Sequence, residues 1–185
     1  MKAMTLIEIL ISLLIIGFII ITLFFFTINI SNFNTYFVFN LGKHQEIIST
    51  ANIMSRELKS MLQSNVGNYP IEKATNNEIV FYSDIDNDGL VERIRYFIEN
   101  NNLKKGIVKP QGNPLSYDLN QEKILTLIYN LTNSNIFEYY DKNNQLTFDI
   151  NNIKIIKINL SAVEPINNHY INHSFIIAPR NLRYK

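Results

Sequence analysis

Two stretches of this 185-residue chain place residue types where they could do chemistry. The first is Asp84-Ile-Asp86-Asn-Asp88-Gly89, three carboxylates at alternate positions followed by a glycine. Calcium is held by several carboxylate oxygens, and this is the spacing of the first half of an EF-hand loop. Asp84, Asp86 and Asp88 are the ligands such a site would use. The position at which an EF-hand needs its bidentate glutamate is Arg95, and Glu92 stands three residues earlier. The flanking residues also pattern as strands, not helices. An acidic hairpin turn, with Asp and Gly satisfying turn geometry, is the first reading and calcium the second. No other cofactor is suggested.

The second stretch is Thr5-Leu-Ile-Glu8, which opens a long apolar run. Thr5 and Glu8 have the spacing of a capping box, and the helix dipole favours an anion in the first turn. A carboxylate dragged to the bilayer centre costs about 2.5–3.5 kcal/mol, so this one belongs at the interface. Local capping is the first explanation of Glu8. The second is that Glu8 meets a cation supplied by another chain.

Elsewhere the signals are bland. His44, His169 and His173 are scattered, and the last two lie four apart in strand or loop without a third ligand. No nucleophile elbow and no Gly-rich phosphate loop is present, so nothing supports an enzyme. Lys104, Lys105 and Lys109 form one basic group and Arg180, Arg183 and Lys185 another, both read as solvated charge. With a net charge of +1, the balance speaks against nucleic acid as a partner. The chain has no cysteine and hence no disulfide framework.

The elements that must position these residues follow from hydrophobic periodicity. Ile9 to Gly42 carries no charge, and a membrane-crossing helix needs about 20 apolar residues. A transmembrane helix is therefore expected over residues 4–28. Lys2 points to a cytoplasmic N-terminus. A cleaved signal peptide is the competing explanation, but the run is too long and lacks an A-x-A exit. Phe33, Tyr36, Phe37 and Phe39 suit a membrane interface. Ile47, Ile48, Ala51, Met54, Leu58, Met61 and Leu62 then recur at helical spacing, with Glu46, Arg56, Glu57 and Lys59 between them. This predicts a stalk helix continuing over 29–66, ended by Gly67 and Pro70.

Beyond Pro70, short β-prone runs appear at 79–82, 91–98, 103–108, 124–131, 136–140, 146–148, 153–160 and 170–178. They predict an antiparallel sheet in a β-rich body, residues 67–185, packed on helical residues 43–66. The fold class is α+β: a long N-terminal helix, membrane-spanning first and amphipathic second, packed on that sheet.

Ala3-Met4-Thr5-Leu6-Ile7-Glu8 resembles the processing and methylation signature of type IV prepilins and type II secretion pseudopilins. The resemblance implies a pilin-like fold and removal of leader residues 1–3 by a prepilin peptidase. The cut would fall between Ala3 and Met4, with N-methylation of Met4. Glu8 is then the fifth mature residue, where the family keeps a glutamate thought to pair with a neighbour's N-terminal amine during filament assembly. Ala3 departs from the usual Gly and Met4 from the commonest Phe. In the body, Met54-Ser-Arg-Glu-Leu58, Phe81 to Gly89, Arg95-Tyr96, Phe137 to Asp141 and Ala178 to Leu182 resemble minor pilins of the PilW/GspJ type.

What the resemblance implies is a minor pilin or pseudopilin of a type IV filament, serving pilus assembly, type II secretion or DNA uptake. Its partners would be the prepilin peptidase, other pilins or pseudopilins, a membrane assembly platform and membrane lipid. It would sit in the cytoplasmic membrane as a single-pass protein with an extracytoplasmic body, then in the filament. The alternative is a permanently anchored extracytoplasmic domain that binds a ligand or calcium.

Overall fold

The chain divides into two compact units, Met1–Gly42 and Lys43–Lys185. The computed structural model describes residues 5–163 and 170–182, and of residues 32–40 the backbone alone. Helix α1 (Leu6–Lys59) supplies residues to both units.

In the first unit, Leu6–Ser31 is a 26-residue stretch long and apolar enough to cross a membrane. At 1.5 Å per residue it measures about 39 Å, against roughly 30 Å of hydrocarbon. Its Leu, Ile and Phe side chains are exposed. Its few polar side chains turn their donors back onto the helix. Ser12 Oγ donates to the Glu8 carbonyl at 2.7 Å, Thr27 Oγ1 to Leu23 at 2.8 Å and Asn29 Nδ2 to Phe25 at 2.8 Å. Such internal satisfaction is what a surrounding without water demands.

The second unit has two antiparallel sheets among its described residues. The first is a meander of β1 (Ile71–Ala74), β2 (Glu78–Ser83), β3 (Glu92–Glu99), β4 (Asn102–Val108) and β5 (Lys123–Ile128), in that spatial order. The second orders β6 (Phe137–Tyr140), β7 (Ile155–Val163) and β8 (Tyr170–Ile177). A two-residue turn joins β3 to β4, with Asn100 and Asn101 both at positive φ (52° and 59°). That geometry matches the right-handed strand twist, and asparagine tolerates it. It sets the register: Arg95 faces Gly106 and Tyr96 faces Lys105.

Helical residues Ile47, Met54 and Leu58, with Met61 just beyond, enter one buried cluster with both sheets. Phe81, Ile94 and Leu103 come from the first sheet, and Tyr139, Ile156, Ile158 and Ile177 from the second. The expected α+β arrangement, a helix with its later half packed on antiparallel strands, is the one observed.

Several details differ from expectation. Helix α1 stops at Lys59, not 66, because the chain turns away and the Leu62 N–H bonds the Tyr82 carbonyl at 2.8 Å. Gly67 (φ 88°) serves a separate turn, donating to Ser64. The core-facing stripe excludes Ile48 and Leu62, which are exposed, and takes in Thr50 and Glu57, which are buried. Strands form two sheets instead of one, with β1 unforeseen because only Ile71 of its four residues is buried. Leu146 makes a single bridge to Tyr140 within the expected 146–148 strand, and β5 ends at Ile128, before the expected 131.

Candidate functional site

Of the residues singled out at the N-terminus, Ala3 and Met4 lie outside the described residues. Glu8 is placed, and it caps. Its Oε2 accepts from the Thr5 N–H at 2.8 Å and the Thr5 hydroxyl at 3.0 Å. The carboxylate thus satisfies a backbone donor that no earlier helical turn could reach. It remains exposed at the helix entrance.

The acidic loop between β2 and β3 is the other candidate. A ligand oxygen from each of Asp84, Asp86 and Asp88 lies within 4.8 Å of the others. Much of this clustering is turn chemistry, as the sequence suggested. Gly89 N–H donates to Asp84 Oδ2 at 3.1 Å, and Leu90 N–H to Asp88 Oδ1 at 2.8 Å. These are side chains standing in for backbone acceptors in a tight loop.

Two neighbours enlarge the cluster. Glu92, at the start of β3, is fully buried, and its Oε2 accepts from the Ile85 N–H at 3.0 Å. Lys109, just past β4, brings its ammonium to Asp86 Oδ2, to Asp88 Oδ2 at 3.0 Å and to within 3.5 Å of Glu92 Oε1. The Leu90 N–H, with help from Lys109, holds the Asp88 carboxyl below its ordinary range. Burial pushes Glu92 up, the Ile85 N–H opposes that, and the nearby Asp86 charge adds to it. Asp84 Oδ1 and Glu92 Oε1 are both cut off from solvent and take no hydrogen bond among the described residues.

The lysines read as one solvated basic group are in fact dispersed by the sheet. Lys104 pairs with Glu99 at the surface. Lys105 is buried and donates to Glu57 Oε1 at 2.6 Å, while Tyr96 Oη donates to Glu57 Oε2 at 2.6 Å. Burial and the Glu57 carboxylate push the Tyr96 phenol far above its ordinary value. Neighbouring β-strands thus neutralise a helix carboxylate that would otherwise be stranded in the core. His173 sits 6.4 Å from the Phe175 ring, and His169, Arg183 and Lys185 lie outside the described residues.

Glu57 and Lys109 were missed from the sequence, yet both left a signal. Glu57 lies three residues after Met54 and four before Met61, squarely on the buried stripe. The Asn100-Asn101 turn sets a register in which Arg93 faces Val108, which brings Lys109 beside Glu92.

No family model matches the chain, and no curated protein matches it. Among solved structures, it is similar to a chain of the GspK–GspI–GspJ complex from the type 2 secretion system of enterotoxigenic Escherichia coli. The two share 10% identity, the match covers 74% of this chain and 97% of that one, and the TM-score is 0.48. A likeness this slight carries no functional weight by itself.

Proposed function

We propose that the chain is a membrane-tethered subunit of a type IV filament, a minor pilin or pseudopilin. The observation that carries this is Glu8. A carboxylate sits exposed at the entrance of a 26-residue apolar segment, held among the described residues through Thr5. Thr5 supplies neutral donors, so among the described residues no cation answers the negative charge, at the place where a neighbouring helix could bring one.

In this mechanism a prepilin peptidase removes Met1–Ala3 and the new amine of Met4 is methylated. That amine pairs with Glu8 of an adjacent subunit as the helices leave the membrane and bundle under an assembly platform. The N-terminus begins cytoplasmic and the second unit extracytoplasmic. The body's buried stripe on α1 gives the helix a folded head, and the exposed Leu6–Ser31 segment exchanges lipid for neighbouring helices. Contacts among packed helices in lipid come from close fit and polar pairing, since lipid tails are as apolar as leucine. The system served, whether pilus, secretion or DNA uptake, would be set by the partner subunits.

The test is the intact mass and N-terminal peptide of the protein recovered from its native membrane. A chain beginning at methylated Met4 is expected. A chain still beginning at Met1 where the peptidase is active would overturn the proposal in favour of a permanently anchored extracytoplasmic domain.

A further inference from the structure

The loop between β2 and β3 gathers more negative charge than its turn requires. Asp84, Asp86, Asp88 and Glu92 converge, and the ion pairs formed by Asp86, Asp88 and Glu92 all run to Lys109. Four main-chain amides, of Ile85, Asp88, Gly89 and Leu90, already donate to the carboxylate oxygens that the turn needs. Two oxygens are left over. Asp84 Oδ1 and Glu92 Oε1 are excluded from water and take no hydrogen bond among the described residues. Glu92 Oε1 faces the ammonium that Asp86 and Asp88 hold, at 3.5 Å. A buried carboxylate oxygen without a donor is costly, and a cation is the usual remedy.

We propose that this loop is a divalent-cation site of the calcium type, formed by Asp84, Asp86, Asp88 and Glu92, with the Lys109 ammonium occupying the cation's position until the metal displaces it.

Three features favour calcium over other cations. Every donor is a carboxylate oxygen, which suits a hard cation and not zinc or copper. The Asp oxygens lie within 4.8 Å of one another. Ligands at about 2.3–2.6 Å from one calcium ion can be separated by up to twice that distance, so this spacing accommodates it. Glu92 also changes the ligand set. Arg95 occupies the place where an EF-hand puts its closing glutamate, but the β3 start folds Glu92 under the loop and presents a buried carboxylate there instead. Lys109 is about half exposed, so its side chain can swing into solvent without unpacking the core.

This site does not depend on filament assembly. The experiment is calorimetric titration of the full-length chain in detergent with calcium chloride, after treatment with chelator. One equivalent should bind, with a dissociation constant of about 10⁻⁴–10⁻³ M, as in extracellular calcium modules. Lys109→Gln removes the competing charge and should tighten binding about tenfold or more. Glu92→Gln keeps an acceptor for the Ile85 N–H, so the loop stays folded, and should weaken binding about tenfold. Absence of uptake at millimolar calcium in both the parent and Lys109→Gln would overturn the site. So would binding that is indifferent to Glu92→Gln, or weakened by Lys109→Gln.

Discussion

Glu57 on α1 and Lys105 on β4 meet at 2.6 Å with both side chains only 7% exposed. Tyr96, the cross-strand neighbour of Lys105, takes the other carboxylate oxygen. The amphipathic helix is therefore fastened to the sheet by charge as well as by apolar packing. Removing one partner strands a charge in the core, which costs about 3–5 kcal/mol, while replacing both with apolar groups can be neutral or better. Lys105→Met should lower stability by that amount. The double variant Glu57→Leu, Lys105→Met should recover most of it. Urea unfolding in detergent, followed by tyrosine fluorescence, measures both, and equal losses in the single and double variants would refute the coupling.

Arg95 and Glu122 form a two-pronged pair across the first sheet, with Nε–Oε1 at 2.8 Å and Nη2–Oε2 at 2.6 Å. Gly106, facing Arg95, makes room for it, since a Cβ there would lie 2.2 Å from Glu122 Oε1. Gly106→Ala should push the Glu122 carboxylate off the guanidinium and cost about 1 kcal/mol, the scale of a partly exposed ion pair. In a Glu122→Ala background the same change should cost almost nothing. An undiminished cost there would mean that Gly106 serves the backbone instead.

How far these relationships were legible depends on their range. The apolar segment and the α1 stripe are local patterns, and periodicity alone reveals them. The Asp84–Gly89 turn is equally local. The charge of Glu57 suggests the polar face of the helix, whereas its spacing places it inward, where it is buried. The division of strands into two sheets rests on pairings such as β6 with β7, whose partners lie 15 to 21 residues apart and leave no short-range mark. The end of α1 at Lys59 is set by Leu62 bonding Tyr82, a contact across the fold that no stop signal at Gly67 could announce.

Acid should weaken the second unit through Glu72. Desolvation raises that carboxyl, but hydrogen bonds from Arg93 and Tyr82 outweigh it and leave the group below its ordinary value of 4.5. A group depressed in the fold contributes stability above its unfolded value, and that contribution is lost as pH falls through the folded value. The Glu72 share should therefore be intact above about pH 5 and fade below the ordinary carboxylate range. Comparing the parent with Glu72→Gln in urea isolates it. The gap between them should be widest near neutrality and narrow below pH 4 or so. A gap that stays constant with pH would show that packing, not charge, accounts for the residue.

Glu8 offers the sharpest separation of two roles, because capping needs an acceptor and pairing needs a charge. The Thr5 N–H reaches Glu8 Oε2 at 2.8 Å, and a glutamine carbonyl can receive the same bond. Glu8→Gln should therefore leave the helix start, membrane insertion and protein level unchanged. If the charge pairs with a neighbour's amine, incorporation into filaments should fall about tenfold or more, the scale of losing one charge-assisted contact in a low-dielectric setting. Glu8→Ala removes both roles and should add a loss of membrane-inserted protein, since a missing cap costs about 1 kcal/mol at a helix start. Counting the subunit in sheared filaments against the membrane pool measures the two effects apart. Normal incorporation of Glu8→Gln would reduce Glu8 to a cap and remove it from assembly.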